Sequence, residues 1–154
     1  MMRWIDVLTY AKYGNPEPPY KVEKTENEWQ QLLTPKQYEV TRLKGTEPPY
    51  RNAYCRFYGP GNYVCVGCGS LLFRSETKYH AISGWPSFMQ PASKGILKYS
   101  FDDSHNMHRI EVQCNVCSNH LGHVFNDGPE PARLRYCINS ESLVLQEPDK
   151  DDQP

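Results

Sequence analysis

Cys137 carries the clearest chemical signal in the chain, because an arginine lies two positions before it and an asparagine two positions after it. In a β-strand the side chains of Arg135, Cys137 and Asn139 would share one face, since strand side chains alternate with a period of two. A neighbouring guanidinium favours ionisation of a thiol, and the thiolate is the reactive form of cysteine. The spacing therefore predicts that Cys137 acts as a nucleophile beside Arg135.

Four of the six cysteines form two Cys-x-x-Cys pairs, with positions 69–113 between the pairs. Four thiolates suit tetrahedral zinc and complete its coordination sphere, which is typical of a structural site. We therefore expect a zinc ion bound by Cys65, Cys68, Cys114 and Cys117. A redox-active dithiol is a weaker interpretation, because neither pair begins an obvious helix. Four free thiols are the ordinary alternative.

Two histidines and a tryptophan could complete a reactive site around Cys137. His120 and His123 follow the second cysteine pair closely, and imidazole is the usual proton donor near neutral pH. Asp127 comes shortly after them and could orient one of the two rings. Trp85 offers a large aromatic face that could hold a small apolar group such as a methyl. Each residue also has an ordinary explanation in packing or turns, so only their combination with an activated thiol indicates function.

Length and charge restrict the class of protein. A chain of 154 residues predicts one domain with one core. A formal net charge of −1 lacks the polybasic signature of nucleic-acid or anionic-membrane binding. No stretch has the apolar length of a membrane span, and residues 1–15 lack the apolar core of a signal peptide. We therefore expect a cytoplasmic protein whose cysteines stay reduced.

The N-terminal part predicts little regular structure before two short helices. Residues 1–21 contain three prolines and no sustained period, so we expect an irregular arm with at most a helical turn near 4–10. Capping-box sequences begin at Thr25 and at Thr34. The first helix should run through Leu33, and Gly45 should stop the second.

From about residue 53 onward the chain consists of short β-prone runs between turn residues, which predicts strands. The runs are 62–66, 71–74, 96–101, 108–114, 120–125, 134–138 and 143–146. Within 108–114 Ile110, Val112 and Cys114 alternate with polar residues, as in a strand with one buried face. We therefore expect a small antiparallel β domain over 22–147 with two helices packed on it, followed by an acidic tail at 148–154 that frays.

Several motifs together resemble the methionine-R-sulfoxide reductase B family. The motifs are the two cysteine pairs and the stretches 45–49, 84–88, 120–125, 127–129 and 135–140. The resemblance runs from about 28 to 145, in the order and near the spacing of the family. It implies a mainly β fold of two antiparallel sheets, similar to the zinc-bearing Mss4-like (β-tent) architecture. It also implies a peptide-methionine (R)-S-oxide reductase that repairs oxidised proteins under oxidative stress, with protein-bound sulfoxide preferred over the free form.

Roles follow residue by residue from this resemblance. Cys137 is similar to the family's nucleophile, which attacks the sulfoxide sulfur while Arg135 favours its charged form. His123 matches the principal acid, and His120 and Asn139 help to hold the departing oxygen and its water. Methionine then leaves, and Cys137 remains as a sulfenic acid.

The resemblance also assigns the walls of the site. Asp127 matches a residue that holds Arg135 or an imidazole in place. Trp85 matches the aromatic wall against the terminal methyl of the substrate, so that the substrate would be bound by Trp85, His120, His123 and Asn139. Exchanging methyl and oxygen would put a polar atom on the indole, which predicts stereospecificity.

At one position the chain departs from the common pattern of the family. Many members have a resolving cysteine directly before Gly-Trp-Pro, where this chain has Ser83. Cys55 is the remaining thiol outside the paired cysteines, and the hypothesis is that it forms a disulfide with Cys137 that thioredoxin reduces. In the alternative, Cys55 is a buried small hydrophobe and thioredoxin or another thiol attacks the sulfenic acid directly.

Two other classes of protein compete with the enzyme. One is a zinc-stabilised binding module on the same scaffold in which Cys137 is inert. The other is a zinc-ribbon nucleic-acid binder, which the balanced charge and the lack of a basic stripe disfavour. The combination of Arg135, Cys137, Asn139, His123 and Trp85 favours the enzyme, which we expect to be a monomer.

Overall fold

The computed structural model describes residues 1–147, and the acidic tail predicted for 148–154 lies outside the described residues. Three α-helices come first: α1 (Trp4–Tyr13), α2 (Glu26–Leu32) and α3 (Pro35–Thr41). The strands that follow are β1 (Asn62–Cys65), β2 (Leu71–Arg74), β3 (Ser87–Phe88), β4 (Leu97–Asp102), β5 (Arg109–Cys114), β6 (His120–Phe125), β7 (Arg135–Ile138) and β8 (Leu143–Gln146).

The strands form two antiparallel sheets, as the resemblance to the family implied. The first has the order β2-β1-β8, and the second has the order β3-β7-β6-β5-β4. In the first sheet β1 pairs with β2, which follows it after a short connection, and with β8, which comes much later in the chain. Within 1–147 no helix is long and apolar enough to cross a bilayer.

An aromatic cluster joins the two sheets. Phe73 of the first sheet stacks on Phe88 of the second, with ring centroids 4.4 Å apart. Tyr63 meets Phe88 edge-on at 5.1 Å, and Phe73 lies 5.6 Å from Tyr136. Such pairs contribute about 0.5–1.5 kcal/mol each beyond the area that they bury. Because Tyr136 precedes Cys137, this packing also fixes the strand that carries the predicted nucleophile.

The strand predictions agree with the structure, with ends shifted by at most one residue. The prediction missed β3, which has only two residues and follows Pro86. A run this short carries no alternation, so periodicity cannot detect it.

Both capping boxes form as predicted. The Thr25 hydroxyl accepts from the Glu28 amide at 3.2 Å, and the Thr34 hydroxyl accepts from the Gln37 amide at 3.2 Å. The second predicted helix is α3, and it ends at Thr41, before the glycine that was expected to stop it. Gly45 lies beyond a turn in which its amide donates to the Glu39 carbonyl at 2.9 Å.

The N-terminal arm differs from the irregular segment expected over 1–21. Residues 4–13 form a complete helix that packs on β4, so residues 1–147 contain three α-helices rather than two. Met2 and Val7 are buried, and Tyr10 stacks on Tyr99 at 6.2 Å. The Asn15 amide group then exchanges two hydrogen bonds with the Tyr99 backbone, of 3.0 and 2.8 Å. The helix is stabilised by this tertiary packing, which the short and weakly periodic segment did not reveal.

Candidate active site and metal centre

Cys137 lies on β7, an interior strand of the second sheet. In the ladders it is opposite Ser87 of β3 on one side and opposite His123 of β6 on the other. Glu111 of β5 is opposite His123 in turn. Because directly paired residues point to the same face, these four side chains form one row across the sheet. The register therefore places an imidazole directly beside the predicted nucleophile.

A β-bulge brings the second imidazole to the same side. His120 and His123 are three residues apart, so in a regular strand they would lie on opposite faces. The β5–β6 pairing shifts register between Val112 and Gln113, which leaves Leu121 without a partner in the ladder. Because of this extra residue, the His120 side chain lies on the same side of the sheet as that of His123, and the two ring centroids are 5.6 Å apart.

Asn139 holds this bulge in place. Its backbone amide and its side-chain Nδ2 each donate to the Leu121 carbonyl at 2.9 Å. Its Oδ1 accepts from the Glu47 amide at 3.1 Å. An asparagine side chain has two N–H groups and one carbonyl, so one N–H remains for the cavity that Asn139 lines.

The buried Glu47 is a site residue that the sequence did not single out. Its carbonyl accepts from Trp85 Nε1 at 3.0 Å, and its carboxylate accepts from the Glu141 amide at 2.8 Å. Burial raises the pKa of the Glu47 carboxyl, although hydrogen bonds from the backbone oppose the rise. Through its bond to Asn139, Glu47 therefore connects the indole of Trp85 to the bulge. The motif 45–49 contained the residue but no signal of this role.

Asp127 orients the arginine and not an imidazole. Arg135 Nε donates to Asp127 Oδ1 at 2.7 Å, and a terminal nitrogen donates to Oδ2 at 3.2 Å. The guanidinium also lies over the ring of Phe125, 4.3 Å from its centroid. These hydrogen bonds lower the pKa of the Asp127 carboxyl. The arginine is thus held by a two-point fork and an aromatic face.

Two other carboxylates hold the imidazoles. His123 Nε2 lies 2.7 Å from Asp102 Oδ2, and His120 Nδ1 lies 2.7 Å from Glu111 Oε2. Burial lowers the pKa of His123, and the bond to Asp102 opposes that change. The polar face of the alternating stretch 108–114 could have indicated Glu111. Asp102 gave no such signal, because Asp102 and Asp103 at the end of β4 resemble the start of an ordinary surface turn.

One cavity of about 330 Å³ collects most of the predicted site residues. Trp85, His123, Arg135, Cys137 and Asn139 all line it. The other predicted residues lie elsewhere: His120 lines a neighbouring polar cavity, and Asp127 contacts Arg135 from behind. The cavity thus brings together a thiol, an imidazole and an aromatic wall, and its lining is partly apolar and partly polar.

The environment of Cys137 modifies the expectation of an ionised thiol. Burial raises the pKa of Cys137, whereas Arg135 and the Ser83 hydroxyl act to lower it. Arg135 therefore acts to lower the pKa of the thiol, as predicted, but the rise that desolvation causes is larger. The thiol rests mainly in its protonated form near neutral pH, and the thiolate is a minor and correspondingly basic nucleophile.

Cys55 lies outside the cavity around Cys137. It is buried, and its carbonyl accepts from the Tyr58 hydroxyl at 3.3 Å. Both Cys55 and Cys137 are free thiols. The segment that carries Cys55 contacts the site through the Tyr50 amide, which donates to the Gly84 carbonyl at 2.7 Å. A disulfide with Cys137 would therefore require this segment to rearrange.

The four paired cysteines converge as predicted. Their Sγ atoms all lie within 4.8 Å of one another. The Sγ atoms of Cys65 and Cys117 are 3.6 Å apart, and so are those of Cys68 and Cys114. Tetrahedral bonds of about 2.3 Å to zinc would separate sulfurs by about 3.8 Å. The donor set and its spacing thus fit a metal ion that ties β1 of one sheet to β5 of the other.

The two cysteine turns have the same construction. Gly69 donates its amide to the Cys65 carbonyl at 2.9 Å, and Ser118 donates its amide to the Cys114 carbonyl at 2.8 Å. Both residues have left-handed backbone, with φ of 78° and 68°. Glycine adopts this conformation without a steric cost, whereas Ser118 is held in it by the turn.

Comparisons with known proteins agree with this geometry. The SelR domain family matches residues 33–147. A peptide methionine sulfoxide reductase MsrB of Leptospira interrogans is 51% identical over 127 residues, which cover 82% of this chain and 97% of the relative. The proteins of the same name from Cellvibrio japonicus and Acinetobacter baumannii are 54% and 47% identical, over 76% and 86% of this chain and 84% and 96% of the relatives.

Alkylation of Cys137 by iodoacetamide should report the balance of burial and charge. The rate at this residue should still rise with pH above pH 9, because burial raises the pKa of the thiol above its ordinary value of 9.0. Arg135→Met should make alkylation at pH 8 several-fold slower, since the lost cation lowered that pKa. Peptide mass mapping measures the modification of Cys137 over time.

Arg133→Met is the matched control, because Arg133 is exposed and lies 3.8 Å from an equally exposed Glu130. It should leave the rate at Cys137 unchanged. Equal rates in wild type and Arg135→Met would show that the arginine does not act on the thiol.

Proposed function

The chain belongs to the SelR-domain family of peptide methionine sulfoxide reductases MsrB, and from this premise we propose that it reduces the R epimer of methionine sulfoxide in proteins through a sulfenic acid at Cys137. Family membership makes the protein an oxidoreductase that acts on methionine sulfoxide. The observation that carries the finer proposal is the pairing of His123 with Cys137 across two strands, in a cavity walled by Trp85.

In the chemical step the Cys137 thiolate attacks the sulfoxide sulfur. The oxygen moves to the cysteine sulfur and takes up one proton, so that thiolate, sulfoxide and proton become sulfenic acid and thioether. The methionine sulfur gains two electrons and the cysteine sulfur loses them. Arg135 contacts the region of the thiolate and offsets its charge while burial keeps water away.

His123 supplies the proton. Its Nε2 is engaged by Asp102, which leaves Nδ1 as the nitrogen for the sulfoxide oxygen. Because burial lowers the pKa of His123, its protonated form is a stronger acid than ordinary imidazolium. The remaining N–H of Asn139 and, from behind, His120 assist in holding the oxygen and its proton.

Trp85 provides the stereochemical wall. Its indole is fixed by the hydrogen bond to the Glu47 carbonyl at 3.0 Å, so that the face it presents to the cavity does not rotate. The R epimer places its methyl against this face and its oxygen toward His123. The S epimer would exchange the two groups and put the oxygen against an apolar surface, where it loses its hydrogen bonds.

For regeneration, Cys55 condenses with the sulfenic acid of Cys137, water leaves, and thioredoxin reduces the disulfide. Support comes from the sequence, since Ser83 occupies the usual position of a resolving thiol and Cys55 is the other cysteine outside the paired set. Residues 50–61 contain no regular secondary structure, so a rearrangement of this segment would break no helix or strand.

The four paired cysteines would hold a structural zinc ion. Zinc with four thiolates has no open position, so it stabilises the fold and takes no part in the reaction. The cytoplasmic location, the monomeric state and the domain limits 22–147 remain predictions from the sequence.

Turnover with dithiothreitol tests the nucleophile and the stereochemistry together. Wild-type protein should reduce a dabsylated methionine R-sulfoxide and leave the S epimer unchanged, as measured by separation of the epimers. Cys137→Ser should abolish this activity, because a hydroxyl cannot form the sulfenic acid. Cys55→Ser should retain it, since dithiothreitol reaches the sulfenic acid directly. Activity that survives Cys137→Ser would refute the assignment.

One equivalent of substrate without reductant tests the resolving thiol. Peptide mapping should then find a disulfide between Cys55 and Cys137 in the wild type. In Cys55→Ser a dimedone adduct should mark sulfenic acid trapped at Cys137. A wild-type protein that shows the adduct and no disulfide would exclude Cys55 from the cycle.

Metal analysis tests the zinc site. The protein should contain about one zinc ion per chain, as expected for one closed four-cysteine site. Cys114→Ser should lose zinc and more than about 4 kcal/mol of unfolding free energy, a loss typical of structural metals. Cys55→Ser is the control and should keep the metal. Full stability in metal-free Cys114→Ser would contradict a structural role.

A further inference from the structure

A second cavity lies directly behind the proposed acid. It has a volume of about 340 Å³ and shares Thr46, Arg109 and His123 with the cavity around Cys137. His123 is thus a common wall of the two cavities. The second cavity is lined almost entirely by polar and charged side chains, among them Asp102 and His120. Such a volume suits water, whereas a bound substrate would fill the first cavity.

Asp102 is the partner of His123 in this cavity. Its Oδ2 lies 2.7 Å from His123 Nε2 and 3.6 Å from a terminal nitrogen of Arg109. Its Oδ1 accepts from the Ser104 amide at 2.9 Å. These contacts outweigh partial burial and hold the pKa of the Asp102 carboxyl well below its ordinary range. The group is therefore a fixed anion that accepts from the Nε2 proton of His123.

Glu111 has the same relation to His120. Its Oε2 lies 2.7 Å from His120 Nδ1, and its Oε1 accepts from Lys44 Nζ at 3.2 Å. Both the glutamate and the histidine are buried. A buried anion and imidazole at this distance fix the tautomer of the ring, so that Nε2 of His120 is the free nitrogen.

The two rings meet edge to face with centroids 5.6 Å apart. At this separation the two rings are direct neighbours. Charged and titratable groups face His123 from every element around it: Asp102 from β4, Arg109 and Glu111 from β5, His120 from β6, Arg135 and Cys137 from β7, and Lys44 and His105 from flanking segments.

We propose that the polar cavity is the proton entry of the enzyme, and that Asp102 and Glu111 are positioning residues which aim His123 at the sulfoxide and His120 at His123. The inference rests on the proposed function, in which each turnover transfers one proton to the sulfoxide oxygen. His123 gives that proton from Nδ1, and the same nitrogen must regain one. His120, held at Nδ1 by Glu111, takes up a proton from water of the polar cavity at its free Nε2 and passes a proton from Nε2 to His123 Nδ1. Asp102 and Glu111 keep their charge throughout and touch no reacting atom.

The first test is Asp102→Asn, which retains the size of the side chain and removes its charge. The dithiothreitol-driven kcat should fall by about 10²-fold, the usual contribution of a placed acid. The acidic limb of kcat/KM should also move to lower pH. This limb follows His123, because the reactive form combines thiolate with imidazolium, and loss of Asp102 removes a group that raises the pKa of that ring.

Glu111→Gln tests the supply of protons. It should lower kcat several-fold and make kcat depend on the concentration of imidazole buffer, because an external acid then replaces the relay. A purely structural defect would not respond to buffer. A loss of activity that buffer leaves unchanged would overturn the role of Glu111.

Asp103→Asn is the matched control. Asp103 forms a carboxylate–histidine pair of 2.9 Å with His108, but both side chains are exposed, at 74% and 91%. This variant should keep the wild-type kcat and pH profile. An unchanged profile in Asp102→Asn, or equal losses in both aspartate variants, would overturn the inference, whereas inactivity of the wild type on the R epimer would instead overturn the proposed function.

The tautomers of the two histidines can be measured on the wild-type protein, so this test does not depend on whether a variant folds. The ¹⁵N chemical shifts of labelled histidine should show His123 as the Nε2–H tautomer and His120 as the Nδ1–H tautomer at neutral pH. The opposite tautomer at His123 would put its proton away from Asp102 and contradict the proposal.

Discussion

The two hydrogen bonds from Asn139 to the Leu121 carbonyl hold the arrangement on which the site depends. They stabilise a β-bulge that places two imidazoles, three residues apart in the chain, on the same side of the sheet. A regular strand would have sent one of them into the core. Because Asn139 follows directly on β7, the same residue connects the bulge to the strand of Cys137. Through the Glu47 backbone it also reaches the indole of Trp85.

Around this centre the fold is tied together at two places. Aromatic rings of both sheets pack against one another beneath Cys137, and the four-sulfur cluster joins the sheets away from the reactive cavity. The division has a chemical reason in the proposed function, since four thiolates bound to a metal ion would be unreactive. The proposed nucleophile, Cys137, is separated from them on another strand, where burial and one arginine act on the pKa of its thiol.

Burial and charge act against each other throughout the site. Desolvation raises the pKa of Cys137 and lowers that of His123, so burial favours the neutral form of both groups. In the proposed reaction both groups act in their charged forms, which burial disfavours and thereby makes more reactive. Fixed charges compensate in part: Arg135 is held by Asp127 near the thiol, and Asp102 lies against the imidazole. In the proposed reaction such burial would gain reactivity per ionised molecule at the cost of a small ionised population.

The sequence by itself determined what depends on neighbours along the chain. The capping boxes at Thr25 and Thr34, the alternation in β5, the two cysteine pairs and the spacing around Cys137 are local patterns, and each of them formed in the structure. Tertiary structure alone decided the partners of the imidazoles and the packing of α1 on β4. It also decided the net shift in the pKa of Cys137 and the placement of Cys55 outside the cavity. Register between strands and burial depend on contacts between distant segments, so no local pattern can specify them.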